Sequence, residues 1–119
     1  MTDQDVRKLA LSLPEAEELP HMQRTSFRVR NKIFATMSED RTEAVVFVAP
    51  RERLYELASE HPQMFRTLGG WSRLGALGVV LAKADRLLFE ELLVASWRKR
   101  APKRAIAAYE GKAGKAGRK

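Results

Sequence analysis

Phe27 and Val29 alternate with Arg28 and Arg30, Arg24 stands just before them and Lys32 just after. In a strand, successive side chains point to opposite faces. If Phe27 and Val29 face a core, Arg28 and Arg30 therefore lie on the open side. Cations along one ribbon can follow a line of phosphates, and a two-stranded ribbon fits a nucleic-acid groove. The same pattern also describes a solvated edge, where basic side chains discourage pairing between molecules. A second basic set comprises Arg98, Lys99, Arg100, Lys103 and Arg104, then Lys112, Lys115, Arg118 and Lys119. Such a segment attracts polyanions by releasing counterions, with little sequence preference. It is equally the composition of a solubilising extension.

The 119-residue chain has a formal charge of +7, and its distribution matters more than its sum. From Arg98 onward there are nine basic residues and one acid, Glu110; the preceding part is close to neutral. The isoelectric point therefore says little about the folded part. Cysteine is absent, which excludes disulfides, thiolate metal sites and thiol nucleophiles. The opening Thr2-Asp3-Gln4-Asp5 lacks the positive charge and apolar run of a secretory signal. The apolar stretch Leu87–Ala95 is interrupted by Glu90 and Glu91 and is too short to span a bilayer. Cytoplasm is the expected location, without membrane association.

Other residue types carry less. His21 and His61 each neighbour a proline, and no acid or second histidine stands at i±4 in a helix to complete a metal cluster. The serines have no evident His–acid partner in a nucleophile motif. Gly69-Gly70 is too short for a phosphate loop and lacks the following Lys and Ser/Thr. The expectation is a protein without metal, cofactor or catalytic site. Trp71, after two glycines, has the setting to stack on a base, but packing on the sheet is the expected role. Trp97 is expected in the core.

These side chains need elements to position them. Thr2 and Asp5 suit a helix start, and Val6, Leu9, Ala10 and Leu13 form an apolar stripe that Pro14 ends. Glu15–Pro20 reads as an acidic turn before a short extended piece near His21. A β-hairpin follows, turning at Asn31 into Ile33–Met37, and Glu43–Val48 forms a third strand. Pro50 opens a helix to about Glu60, stopped by Pro62. Met64–Thr67 and Leu77–Ala82 read as strands. Asp85 caps a final helix to about Arg100, with Leu88, Leu92 and Ala95 or Ser96 on its buried face. Ala105–Tyr109 adds one or two helical turns, and Gly111 onward is expected to be disordered. The order α-β-β-β-α-β-β-α, without regular β-α alternation, implies an α+β fold with an antiparallel sheet. One domain over residues 1–101 and a basic, largely disordered tail over 102–119 are expected, without an internal repeat. A monomer is expected, since no heptad is visible.

Several landmarks recur together: Leu11-Ser12-Leu13-Pro14 followed by acids, the hairpin Ser26–Val29 with Lys32–Ala35, His61-Pro62, the isolated Trp71, the apolar Gly78–Leu81, and Ser96-Trp97. In this order and spacing they resemble the MmcQ/YjbR family of small bacterial proteins, over about Val6 to Ala101. The Gly-rich loop from Arg66 to Leu77 and the lysine-rich tail depart from the family pattern. The resemblance implies a frataxin-like (CyaY-like) α+β fold and a double-wing DNA-binding role in which β-hairpins act as wings. Arg24, Arg28, Arg30 and Lys32 would then line one wing, and Arg66 and Arg73 the second. Arg98, Lys99, Arg100, Lys103 and Arg104 would add non-specific attraction. Frataxin-like folds can also bind iron on an acidic ridge; Asp3, Asp5, Glu15, Glu17 and Glu18 are too few for that and are mixed with Arg7 and Lys8. Fold does not fix function, so the competing expectation is a small protein-interaction or ligand-binding domain with incidental affinity for polyanions.

Overall fold

The Asp5 amide donates to Thr2 Oγ1 at 3.2 Å, and the Thr2 amide donates back to Asp5 Oδ2 at 2.9 Å. This reciprocal cap starts helix α1, Asp3–Leu11, in the computed structural model, which describes the backbone of residues 1–117 and the side chains of residues 1–111. Four strands follow: β1 (Ala16–His21), β2 (Arg24–Val29), β3 (Lys32–Met37) and β4 (Glu43–Phe47). Helix α2 spans Arg51–Glu60, β5 Phe65–Thr67, a 3-10 turn Gly69–Leu74, and β6 Ala76–Val80. Helix α3 runs over Arg86–Arg100, with its Asp85 cap accepting from the Leu87 amide at 3.1 Å, and α4 over Lys103–Gly117.

The six strands form one sheet in the order β1-β2-β3-β4-β6-β5, and every neighbouring pair is antiparallel. This is the α+β architecture read from the sequence. One face carries Phe27, Ala35, Val46 and Leu77 in register, and beside them Met37, Ala44, Val79 and Phe65. Val6 and Ala10 of α1, Leu54 and Leu57 of α2, and Phe89, Leu93 and Trp97 of α3 complete a single apolar core. Of the helix face expected for α3, Leu92 and Ser96 are buried, whereas Ala95 is exposed and Phe89, Leu93 and Trp97 take the interior.

Two elements differ from expectation. Glu15–Pro20 is not merely a turn: Ala16–His21 pairs along its whole length with β2. Its acids and Pro20 are tolerated because it is an edge strand, exposed on most positions. At the other terminus the folded chain passes Ala101. Ala105 is buried, and the Tyr109 ring lies 5.5 Å from that of Trp97. The turns expected over Ala105–Tyr109 are present and pack on the core, so the folded part extends past the boundary expected at residue 101. The expectation of disorder in residues 112–119 falls outside the side chains described here.

Candidate nucleic-acid interface

Sheet geometry decides where the hairpin cations go. Strand β2 ends at Val29, and Arg30 and Asn31 form the turn with φ of 51° and 64°. Both central residues at positive φ match the twist that a two-residue hairpin loop needs. Arg30 is thus an exposed turn residue rather than a partner of Arg28 on the strand face, and Lys32 is exposed beside it. Arg24 and Arg28 do share the face opposite the core, but neither projects freely. Arg24 donates through Nε and Nη2 to Thr36 Oγ1, at 3.2 and 3.0 Å. Arg28 donates to Ser26 Oγ at 3.0 Å and Asn31 Oδ1 at 3.1 Å, and its Nη2 lies 3.5 Å from His21 Nδ1. None of these partners is a carboxylate.

Several other expected phosphate contacts are matched within the fold. Arg66 makes a two-point pair with Glu43, at 2.7 and 2.9 Å, and this contact raises its pKa. Arg104 pairs in the same way with Glu15, both bonds 2.8 Å, holding α4 against the start of β1. That pair lowers the Glu15 pKa, chiefly through the hydrogen bonds from Arg104. Arg98 lies 3.4 Å from Glu110 and stacks on Tyr109. Lys103 is exposed at the first turn of α4. Arg66 lies on β5 and Arg73 near the end of the 3-10 turn, so the two come from different elements.

The chain instead assembles a cluster at one end of the sheet. Strand β4 ends at Phe47 opposite Ala76, where β6 begins. The Val48 amide donates to Gly75 O at 2.7 Å and holds these two ends together. Gly75 has φ +82°, and a Cβ there would stand 2.5 Å from Val48 O, so only glycine fits. Helix α2 starts next to this junction with Arg51, and the 3-10 turn delivers Arg73. Helix α3 brings Lys99 and Arg100 in its last turn, where cations also favour the helix dipole. These four cations line a notch of about 280 Å³ with Val48, Ala49 and Gly75, and no carboxylate lines it among the described residues. Arg100 packs its guanidinium 4.6 Å from the centre of the Phe47 ring. Burial lowers its pKa, but a guanidinium stays protonated in proteins. The sequence offered Arg73, Lys99 and Arg100 as separate basic residues; Arg51 carried no signal, since its companions come from two other elements.

Beside the notch, sharing Phe47 and Leu74 with it, a groove of about 670 Å³ crosses the sheet face that bears Arg24. Trp71 stands on its wall and is 66% exposed, so the expected packing of this ring on the sheet is not what the structure has. Trp97, by contrast, is fully buried and donates Nε1–H to Pro14 O at 3.2 Å. Among the described residues no group of three or more histidines and acids is arranged to hold a metal ion. No described helix is long and apolar enough to cross a membrane.

The YjbR family model matches residues 11–99. No curated protein matches the chain. Among solved structures, the crystal structure of the Deinococcus radiodurans protein DR2400, which carries the family-model domain DUF419, is similar at 26% identity and a TM-score of 0.69, covering 81% of this chain and 75% of that one.

Proposed function

The chain belongs to the YjbR family, and from that premise we propose that it binds DNA non-covalently, as a monomer in the cytoplasm, with the basic notch as its phosphate anchor. One observation carries this reading. Arg51, Arg73, Lys99 and Arg100 come from three separate elements and converge in one concavity that no acid among the described residues lines. A phosphodiester seated there exchanges condensed counterions for fixed cations, which is the main source of affinity in non-specific binding. Arg30 and Lys32 at the hairpin tip extend the positive surface, and the basic C-terminal residues add long-range attraction. Arg24 and Arg28 are held on the sheet by neutral partners, so they favour anions nearby without reaching far from the surface.

The test is fluorescence-anisotropy titration of labelled duplex DNA at two salt concentrations. The proteins compared are the full chain, Arg73→Ala with Lys99→Ala, Arg28→Ala with Arg30→Ala, and a chain lacking residues 112–119. Deletion from Pro102 would be a poor control, because it removes Ala105 and Tyr109 from the core. The notch reading expects the Arg73/Lys99 pair to weaken binding most while the fold is kept. Unchanged affinity in that double variant would overturn it. Loss confined to the deletion would leave only tail-mediated attraction.

A further inference from the structure

The groove on the sheet face differs from the notch in its ratio of charge to apolar surface. Its floor is made by Ile33, Val45, Phe47 and Ala76, and Trp71 and Leu74 form one wall, 66% and 64% exposed. Gly78 lets the far side pack closely: a Cβ there would stand 3.1 Å from Arg66 O, 3.2 Å from Glu43 Oε1 and 3.3 Å from Leu68 Cδ2. Among the described residues Glu43 is the only carboxylate lining the groove, and Arg66 matches it through two hydrogen bonds. Arg24 remains, its guanidinium anchored on the neutral Thr36 hydroxyl and without a carboxylate partner among the described residues. The result is an apolar bed with one uncompensated, oriented cation at its rim.

We propose that this groove is a binding site for a small, flat, largely apolar molecule carrying one negative charge, such as an aromatic carboxylate or sulfonate. The volume of about 670 Å³ is that of small-molecule sites, which run from roughly 300 to 1,000 Å³. The exposed indole of Trp71 offers an aromatic face for stacking, and the floor removes the ligand's other face from water. The carboxylate or sulfonate is held by the Arg24 N–H groups that Thr36 leaves free. A polyanion is the wrong occupant, because a single unmatched cation cannot compensate a row of phosphates while the apolar floor is covered. The proposal is independent of DNA binding at the notch.

Anilinonaphthalene sulfonate is the probe, titrated into the full chain and followed by its own emission and by tryptophan quenching. N-phenyl-1-naphthylamine serves as its uncharged counterpart. Saturable one-to-one binding is expected, with the sulfonate bound roughly tenfold more tightly than the neutral probe, the scale of one charge-assisted hydrogen bond. Arg24→Ala should erase that preference while leaving the neutral probe's affinity alone, and Arg24→Lys should restore part of it. Trp71→Ala should weaken both probes, since the exposed indole supplies the stacking face. Equal affinity for both probes, or a preference unchanged in Arg24→Ala, overturns the charge assignment. Affinity for both probes unchanged in Trp71→Ala overturns the location. Melting curves of the three variants, all altered at sites outside the core, check that the fold is retained.

Discussion

Ser96 Oγ donates a 2.6 Å hydrogen bond to the carbonyl oxygen of Phe34, across the interface between α3 and β3. The same hydroxyl accepts from the Phe47 amide at 3.2 Å. The β2–β3 register shifts here: Phe27 faces Ala35 and Arg28 faces Ile33, which leaves Phe34 as the extra residue. On its other side the β3–β4 pairing runs from Met37 back to Ala35 and no further. A helix side chain thus serves backbone groups of two strands where the ladder lapses. Replacing Ser96 with Ala should cost about 1–3 kcal/mol, since the buried Phe34 oxygen and Phe47 amide lose a partner together. Urea denaturation measures it, and a midpoint unchanged from the parent would show that water or the strands themselves compensate.

Helix α4 should act as part of the core. Tyr109→Ala removes a half-buried ring that packs on Trp97 and supports Arg98. The expected loss is about 1–2 kcal/mol, from apolar area returned to water and the aromatic pair broken. Removing all residues after Pro102 should destabilise more and shift Trp97 emission to longer wavelength. Identical emission in the shortened chain would mean that α4 does not shield the indole in solution.

Acid should weaken the link between α1 and the first hairpin. Glu18 accepts from Arg7 at 2.7 and 3.0 Å and from Thr25 at 2.9 Å, and these contacts, Arg7 first, lower its pKa. A carboxylate with a lowered folded-state pKa stabilises the fold above its ordinary pKa and loses that contribution as pH falls through the lowered value. Stability should therefore decline on acidification, and Glu18→Gln should be less stable than the parent near neutral pH but fall less steeply. Parallel stability–pH curves for the two proteins would rule out this linkage.

Gly75 should not tolerate a side chain. Its φ of +82° and the 2.5 Å approach of a Cβ to Val48 O make Gly75→Ala doubly unfavourable, at a cost of about 1–3 kcal/mol for the backbone alone. The substitution should also disturb the notch, because Arg73 and Leu74 lead directly into this residue. Thermal melting reads the first effect and DNA titration the second. A melting temperature equal to the parent's would contradict the geometry.

Salt dependence should count the notch cations. Each phosphate contact removed from a duplex complex lowers the slope of log affinity against log salt by about 0.9. Arg73→Ala and Lys99→Ala should each lower it by about that amount, and Arg66→Ala hardly at all, because Glu43 already neutralises Arg66. A larger effect at Arg66 than at Arg73 would place the nucleic acid on the β5 edge instead.

Local signals in the sequence were enough for most elements. Thr2 with Asp5, Asp85, the turn at Asn31 and the stops at Pro14 and Pro62 act within a few residues of themselves, so their effects can be read before any tertiary contact is known. Alternating Phe27, Arg28 and Val29 likewise place Arg28 opposite the core, and the family landmarks pointed to the α+β sheet that the structure has. Strand β1 escaped notice because an acidic, proline-containing segment becomes a strand only when β2 supplies the hydrogen bonds. The extent of α4 escaped because its value comes from Trp97, which precedes its start by six residues and packs on it only after the chain folds back. The charges show the same division. Sequence supplies the number of cations, but which of them meet an anion's field depends on distances between elements. Glu43 and Glu15 neutralise Arg66 and Arg104 across 23 and 89 residues of chain, while the meeting of Arg51, Arg73, Lys99 and Arg100 exists only where the ends of β4 and α3 meet the starts of α2 and β6.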